Sequence, residues 1–340
     1  MTLSWVRCNF IQIQDKMKVF ITGATGFIGK QVVNLLSNTD HELFCLVRKS
    51  SQRKIPGSKW INIIEGDLGN KNSIIQGMRG CDWVINLAGL YSYWEPDNQL
   101  FRKINVNGTR NVMEAALETR VSKVIHVSTV MIYGKQTDNL ITEESKPGKR
   151  FTRYTQSKFE GDEIVWEMYK NKGLPIVVIY PSAVLGAGDP QVSGRYISDL
   201  IHRRLPITAF DKSVHSWVHV NDVAKAVVRA AEKPGNIGEK YFVSNQRLSM
   251  REFNLLVSEI SGVPLPKLEM PEFLAFPTAY FLTGISRVTK RRPLWGISVE
   301  QIRILKVGSR VDGTKAERDL GIFYMPIEEA IKEAIEADKG

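Results

Sequence analysis

The feature that most constrains this chain is a rhythm running from Lys18 to about Pro181, where short β-branched runs alternate with helical patterns. The runs are Lys18-Ile21, Glu42-Val47, Ile61-Glu65, Trp83-Leu87, Lys123-Val127 and Ile176-Tyr180, each nearly all apolar. Strands of that composition are covered on both faces, and the covering layers come from the helices between them. Apolar spacing predicts those helices over Ile28-Leu36, Lys71-Met78, Val106-Thr119 and Thr155-Asn171. The fold class that follows is α/β, a Rossmann-type doubly wound parallel sheet that takes its ligand at the carboxyl ends of the strands.

Beyond Pro181 the character changes to a smaller C-terminal substrate lobe. The division expected is an N-terminal extension over 1–16, a dinucleotide-binding domain over 17–181, and a mainly substrate-binding lobe over 182–340. About 217–231 is expected to return to the first domain as strand and helix. Residues 1–16 lack the charged-then-apolar layout of a signal peptide, and Met17 is a candidate start. Six prolines, at 264, 266, 271, 277, 293 and 326, are read as breaking the lobe into small pieces. The longest apolar stretch, Phe273 to Ile285, is too short to span a bilayer and is interrupted by Pro277. It reads as a buried helix or pocket lining, with a membrane-facing patch as the other option.

Composition narrows the class of function. Hydrophobic residues make up 43% and charged residues 24%, the balance of a soluble globular protein rather than a disordered or collagen-like one. The net charge of +10 suits solubility or the gathering of anions. No nucleic acid is expected as partner, because the densest basic cluster is only Lys290-Arg291-Arg292. Cys8, Cys45 and Cys81 have no zinc or disulfide spacing and fit a reducing, cytoplasmic setting. His215 and His219 lie in a strand-like alternation, so no metal site is expected.

The first strand runs straight into Thr22-Gly23-Ala24-Thr25-Gly26-Phe27-Ile28-Gly29 and then a helical pattern. Gly23, Gly26 and Gly29 permit a tight turn and close approach of backbone to a pyrophosphate, which the free N–H groups of the helix start can bind. Thr25, Phe27 and Ile28 belong to the same loop. The second strand ends in Arg48-Lys49, where an NAD-preferring site commonly has an acidic residue for the ribose hydroxyls. Basic residues there pair with a 2′-phosphate, so NADP(H) is favoured over NAD(H). Asp67, with Leu68 beside it after the third strand, either accepts from the adenine amino group or simply forms a turn.

The catalytic signal is Tyr154-Thr155-Gln156-Ser157-Lys158. On a helix this spacing stacks the phenol over the ammonium. The charge is expected to lower the phenol toward working pH, making it a usable acid or base. Thr129 ends the fifth strand, where its hydroxyl can bond the same substrate oxygen.

In this order the motifs resemble an extended short-chain dehydrogenase/reductase from about Lys18 to Glu333. The resemblance also covers Asn86-Leu87-Ala88-Gly89, Asn105-Val106-Asn107-Gly108-Thr109, His126-Val127-Ser128-Thr129, Pro181-Ser182 with Gly186-Ala187-Gly188-Asp189, and Val218-His219-Val220-Asn221-Asp222-Val223-Ala224. Within the family the chain is most similar to the dihydroflavonol-4-reductase-like and hopanoid-associated epimerase-like branch, especially at Ala88-Gly89-Leu90-Tyr91-Ser92-Tyr93-Trp94. The resemblance implies that Leu87, Ala88 and Gly89 line the cofactor channel and that Asn105 holds a helix framing the active site. It also implies that Pro181 and Ser182 lie beside the nicotinamide, and that a homodimer forms through Val106-Thr119 and Thr155-Asn171. Tyr180 departs from the arginine that many members carry, and Ala187 from a proline.

Three functions stay open at this stage. A reductase of a moderately sized, partly apolar carbonyl or alcohol would use Tyr91, Tyr93 and Trp94 as pocket lining, with Thr129 and Arg195 also on the substrate side. A nucleotide-sugar epimerase or dehydratase would need pyrophosphate-binding cations, for which Arg195, Arg203 and Arg204 are candidates. A cofactor-sensing protein without turnover would more often have lost Tyr154 or Lys158.

Overall fold

A computed structural model describes residues 16–54, 59–134 and 140–339 of the chain. The expectations for an extension and for Met17 as the start concern residues that lie almost wholly outside this range. Seven strands form one parallel sheet: β1 (Lys18–Thr22), β2 (Glu42–Val47), β3 (Ile61–Glu65), β4 (Trp83–Asn86), β5 (Lys123–Val127), β6 (Ile176–Pro181) and β7 (Lys240–Val243). Their order is β7-β6-β5-β4-β1-β2-β3. The direction of winding reverses between β1 and β4, and that switch opens a crevice at the carboxyl ends of the strands.

Helices cover both faces. On one, α1 (Phe27–Ser37) packs with α6 (Val220–Glu232) over a core that includes Ile21, Val32, Ile85 and Val227. On the other, α2 (Lys71–Met78), α3 (Thr109–Thr119) and α4 (Arg153–Lys172) bury Phe20, Val84, Val124 and Val178. The central strands β4, β5 and β6 are buried along their whole length, which is why they read as unbroken apolar runs.

The second lobe is built around a small sheet of Ala183–Leu185, Val214–His219 and Gln246–Ser249. Three helices, α5 (Val192–Ile201), α7 (Met250–Ser261) and α11 (Ile327–Lys339), close its core. The stretch expected to return to the first domain therefore divides. Its helix α6 packs on α1, but its strand pairs only in the small sheet. The strand that does rejoin the large sheet is β7, which pairs with β6 from Lys240↔Val178 to Val243↔Pro181.

Two further departures from the sequence reading have physical causes. The segment before α3 is a short helical turn, Gln99–Phe101, followed by a wide π-type turn over Arg102–Gly108. Such widened turns cluster at functional sites, and this one carries the buried Asn105. Pro277 does not interrupt its segment. It lies inside the continuous helix α8 (Glu272–Thr289), on the exposed side, where the one missing N–H bond leaves no buried group unpaired. Next come α9 (Val299–Val307) and α10 (Thr314–Leu320). Among the described residues no helix is long and apolar enough to cross a membrane.

The glycine loop packs tightly against the start of α1. Gly23 has φ +74°, and a side-chain carbon added at Gly29 would stand 2.0 Å from the Gly23 carbonyl oxygen. A Gly29→Ala substitution is expected to cost about 1–3 kcal/mol by forcing loop and helix apart. At Gly284, also helical, an added carbon meets nothing within 4 Å. Gly284→Ala is expected to hold or raise stability by up to about 1 kcal/mol. Urea unfolding of both variants checks the pair, and a Gly29→Ala protein as stable as wild type would contradict the contact.

Candidate active site

Three strand ends set the site's frame. Thr22, Asn86 and His126 stand side by side in register across β1, β4 and β5. The Thr22 hydroxyl donates to Asn86 Oδ1 at 2.6 Å, and Asn86 Nδ2 donates to His126 Nδ1 at 2.9 Å. Thr22 Oγ1 also accepts from the Ala88 N–H at 3.2 Å. Burial, and then the Lys158 charge, hold the His126 ring neutral. This fully buried chain ties the loop after β4 to the glycine loop, and it offers no sequence signal beyond polar residues ending apolar strands.

A cleft of about 1100 Å³ opens along this edge. Gly23, Thr25, Gly26 and Phe27 line it, with Arg48, Asp67 and Leu68 farther out. Helix α1 begins at an N-cap glycine that supplies no side-chain hydrogen bond, and its first turn has no acidic residue. Its positive end is therefore free for an anion. The lining carries five cations, Lys30, Arg48, Lys103, Arg195 and Arg292, against two carboxylates, Asp67 and Glu95. Lys49 is exposed, begins a short 3₁₀ turn and does not line the cleft, whereas the buried Ser51 does. Asp67 Oδ1 accepts from the Gly69 N–H at 2.8 Å, so it shapes a turn whatever else it binds.

The cleft continues into a chamber of about 280 Å³ bounded by Ile28, Gly29, Leu87, Gly89, Pro181 and Ser182. Thr129, Tyr154 and Lys158 share this chamber with Tyr91 and Tyr93. A capping box starts α4: the Thr152 hydroxyl accepts from the Thr155 N–H at 3.1 Å, and the Thr155 side chain answers from the other direction. That box places Tyr154 in the first turn and Lys158 one turn on. Lys158 Nζ donates to the Val127 carbonyl at 3.0 Å. Asn105 stands behind the chamber. It accepts from the Leu90 N–H at 2.7 Å and donates to the Leu90 carbonyl and to Ser157 Oγ, both at 3.0 Å. It positions the loop and α4 rather than facing the chamber.

Electrostatics correct one expectation. The Tyr154 phenol is pushed up, not down: burial dominates, the Tyr91 phenol adds to the rise, and the Thr129 hydroxyl opposes it. Burial also lowers Lys158 to about 8, against the pull of Asp162. Tyr91 and Tyr93 pack on Tyr154 with ring centroids 5.0 and 6.2 Å away, which removes the water that would stabilise a phenolate. Trp94 lines the outer cleft.

Comparison with known proteins decides the family. Residues 19–244 match the model of the NAD dependent epimerase/dehydratase family. The chain belongs to that family. It is an enzyme of the extended short-chain dehydrogenase/reductase kind, and the family binds a nicotinamide cofactor. A Synechocystis sp. protein that carries the name dihydroflavonol 4-reductase is 26% identical over 93% of each chain. Sterol demethylase protein B of Methylococcus capsulatus is 26% identical over 94% of this chain and 97% of its own. The crystal structure of gox2253 superposes with a TM-score of 0.82 at 29% identity, covering 95% of this chain and 98% of that one.

The cradle fits such a cofactor on its own geometry. Glycine at 23 and 29 lets the loop close against the Leu87-Ala88 backbone and the start of α1, which holds it along the cleft, and the buried Ser182 hydroxyl in the chamber wall has no partner. One departure of this family member also acquires a structural meaning. The Tyr180 hydroxyl donates to Asp162 Oδ2 at 2.9 Å and accepts from Trp166 Nε1 at 2.9 Å. Asp162 lies one turn below Lys158 on α4. Burial pushes its carboxyl up to about 6, opposed by Tyr180, Ser128 and Lys158. The Tyr133 phenol faces the same carboxyl. With a phenol where an arginine is common, Lys158 is, among the described residues, the cation that opposes this rise.

The sign of the pH effect follows. Folded Asp162 keeps its proton up to about pH 6, whereas an unfolded aspartate releases it near 3.8. The folded state therefore binds the extra proton, and this term of stability is lost as pH rises through that window. Relative to an Asp162→Asn variant, wild-type stability is expected to fall by up to about 3 kcal/mol between roughly pH 4 and pH 6. Parallel urea titrations across that range read the difference. A constant gap between the two proteins would contradict the raised carboxyl.

Proposed function

We propose that this protein is an NADP(H)-dependent oxidoreductase that interconverts a carbonyl and an alcohol on a partly apolar substrate of moderate size. The observation that carries this reading is the place of Tyr154, with Thr129 beside it, where the anion-binding cleft meets an aromatic chamber. A phenol pushed up by burial is protonated at neutral pH, which suits it to give a proton to a carbonyl oxygen. Thr129 is assigned to hold that oxygen, and Lys158 to stabilise the phenolate left behind and bind the ribose. Bound NADPH supplies the hydride. The glycine loop and the α1 N-terminus are assigned to the pyrophosphate, with Arg48 at the 2′-phosphate and Leu87, Ala88, Gly89, Pro181 and Ser182 along the nicotinamide end.

The chamber wall supports an apolar substrate. Besides Tyr91 and Tyr93 it contains Met131, Val192, Trp217 and Ile304. The reading as a nucleotide-sugar enzyme needs pyrophosphate-binding cations, with Arg195, Arg203 and Arg204 as candidates. Arg195 lines the cleft, while Arg203 and Arg204 are exposed beyond the end of α5 and Arg204 pairs with Asp199 at 3.2 Å. The similarity to sterol demethylase protein B points the same way.

Replacing Tyr154 by Phe is expected to cut turnover about 100-fold or more, while NADPH affinity stays within a few-fold of wild type. Single-turnover kinetics beside a fluorescence titration separate the two, and undiminished turnover would remove Tyr154 from the acid role. Arg48→Asp is expected to weaken NADPH binding about tenfold or more and to leave NADH binding equal or tighter. Equal affinity of the unaltered protein for the two cofactors would overturn the 2′-phosphate assignment.

A further inference from the structure

We propose that α8 is an interfacial docking helix, which seats the protein on an anionic lipid surface with the substrate cleft opening beside the bilayer. The proposal rests on the reductase reading for the apolar substrate that such a surface would deliver. Helix α8 is apolar on two faces. Ala275 and Ala279 are buried against Val299 and Ile302 of α9. On the opposite side Phe273, Pro277, Phe281, Ile285 and Val288 recur at three- and four-residue spacing. Phe273 is 76% exposed, Phe281 70% and Val288 84%. Soluble surfaces scatter such residues singly, and a continuous stripe of them marks a surface that something covers. A helix apolar all round is one that sits in a core or in lipid.

Charge identifies the occupant. The exposed stripe carries no acidic residue, because the only carboxylate of α8, Glu272, is held by Lys306 of α9. At its far end Arg287, Lys290, Arg291 and Arg292 are all exposed. Among the described residues, none of these four lies within salt-bridge reach of a carboxylate. Exposed Leu294 and Trp295 follow directly. An apolar face bordered by exposed cations outside salt-bridge contact and by a tryptophan is the pattern that inserts at an anionic headgroup layer. A second copy docked α8 to α8 would supply no free countercharge. Its α8 would bring either its own cations or the Phe273 end, whose carboxylate is already taken.

Position gives the docking a purpose. Arg292, Pro293 and Gly296 border the large cleft, so the cations stand at its mouth. Tyr280, Thr283 and Arg287 line an adjoining cleft of about 800 Å³, which also reaches Tyr93 and Trp94. The buried Ser298 hydroxyl donates to the Tyr93 carbonyl at 3.0 Å, linking the segment after α8 to the aromatic loop. A lipophilic substrate partitioned in the bilayer would reach the chamber without crossing water.

Vesicle flotation of the full chain tests this, comparing pure phosphatidylcholine with an equimolar phosphatidylcholine–phosphatidylglycerol mixture. The expected result is binding to the mixture, little to the neutral vesicles, and release by high salt. Phe281→Asp and the double variant Lys290→Glu/Arg291→Glu are each expected to weaken binding about tenfold or more. All of these side chains are exposed, so thermal unfolding should match wild type. Wild-type protein that fails to float with the anionic vesicles overturns the proposal, as does flotation unchanged by both variants. A dimer in sedimentation analysis that Phe281→Asp dissociates, without flotation, would overturn it in favour of a second copy. NADPH titration without vesicles reads the reductase assignment separately, since its failure would leave the flotation result standing.

Discussion

The whole candidate site depends on one constraint: a parallel sheet covered on both faces must satisfy any polar group it buries from within. At the carboxyl ends of β1, β4 and β5 that demand is met by Thr22, Asn86 and His126 bonding one another in register. An unsatisfied member would cost about 1–3 kcal/mol, so the three hold their strand ends at a fixed height. The glycine loop leaves β1 and the aromatic loop leaves β4 from that height. Helix α4 is then docked by Lys158 on the Val127 carbonyl and by Ser157 on Asn105. The glycine loop and Tyr154 thus share one rigid reference.

Burial that fixes the site also sets its protonation. Tyr91 and Tyr93 exclude water from Tyr154, and the phenol keeps its proton. Lys158, lowered to about 8, is still mostly charged at neutral pH, and Asp162 below it favours that charge. Asp162 is in turn held ionised above about 6 by Tyr180, Ser128 and Lys158 against the desolvation that raises it. The three groups recur every fourth residue on α4. Of these, Lys158 and Asp162 each oppose the shift that burial imposes on the other.

Elements whose signal is local were legible in the sequence. Six strands of the large sheet and the glycine loop announce themselves through composition and order, and Tyr154 and Lys158 through their spacing. What escaped depends on contacts distant in the chain. Strand β7 lies in Lys240–Val243, a run too short to assign until it pairs with β6. The wide turn around Asn105 is stabilised by Leu90 and Ser157, 15 and 52 residues away. Asp162 carries no sequence signal of its own, because only the fold brings Tyr180 and Trp166 to it. The upward shift of Tyr154 escaped for the same reason, since neither aromatic neighbour is close to it in sequence.

Pro277 shows how a rule of local structure yields to position. A proline inside a helix removes one N–H bond and crowds the preceding turn, a serious cost where that turn is buried. On α8 it falls on the outward stripe between Phe273 and Phe281, while Ala275 and Ala279 hold the other side against α9. The inner face is thus kept by small buried residues that allow close helix packing. The outer face has no packing to lose, and a proline there adds apolar surface without a polar group. Both faces of one helix are apolar for different reasons: the inner is paired with protein, and the outer is continuous with the cations at the cleft mouth.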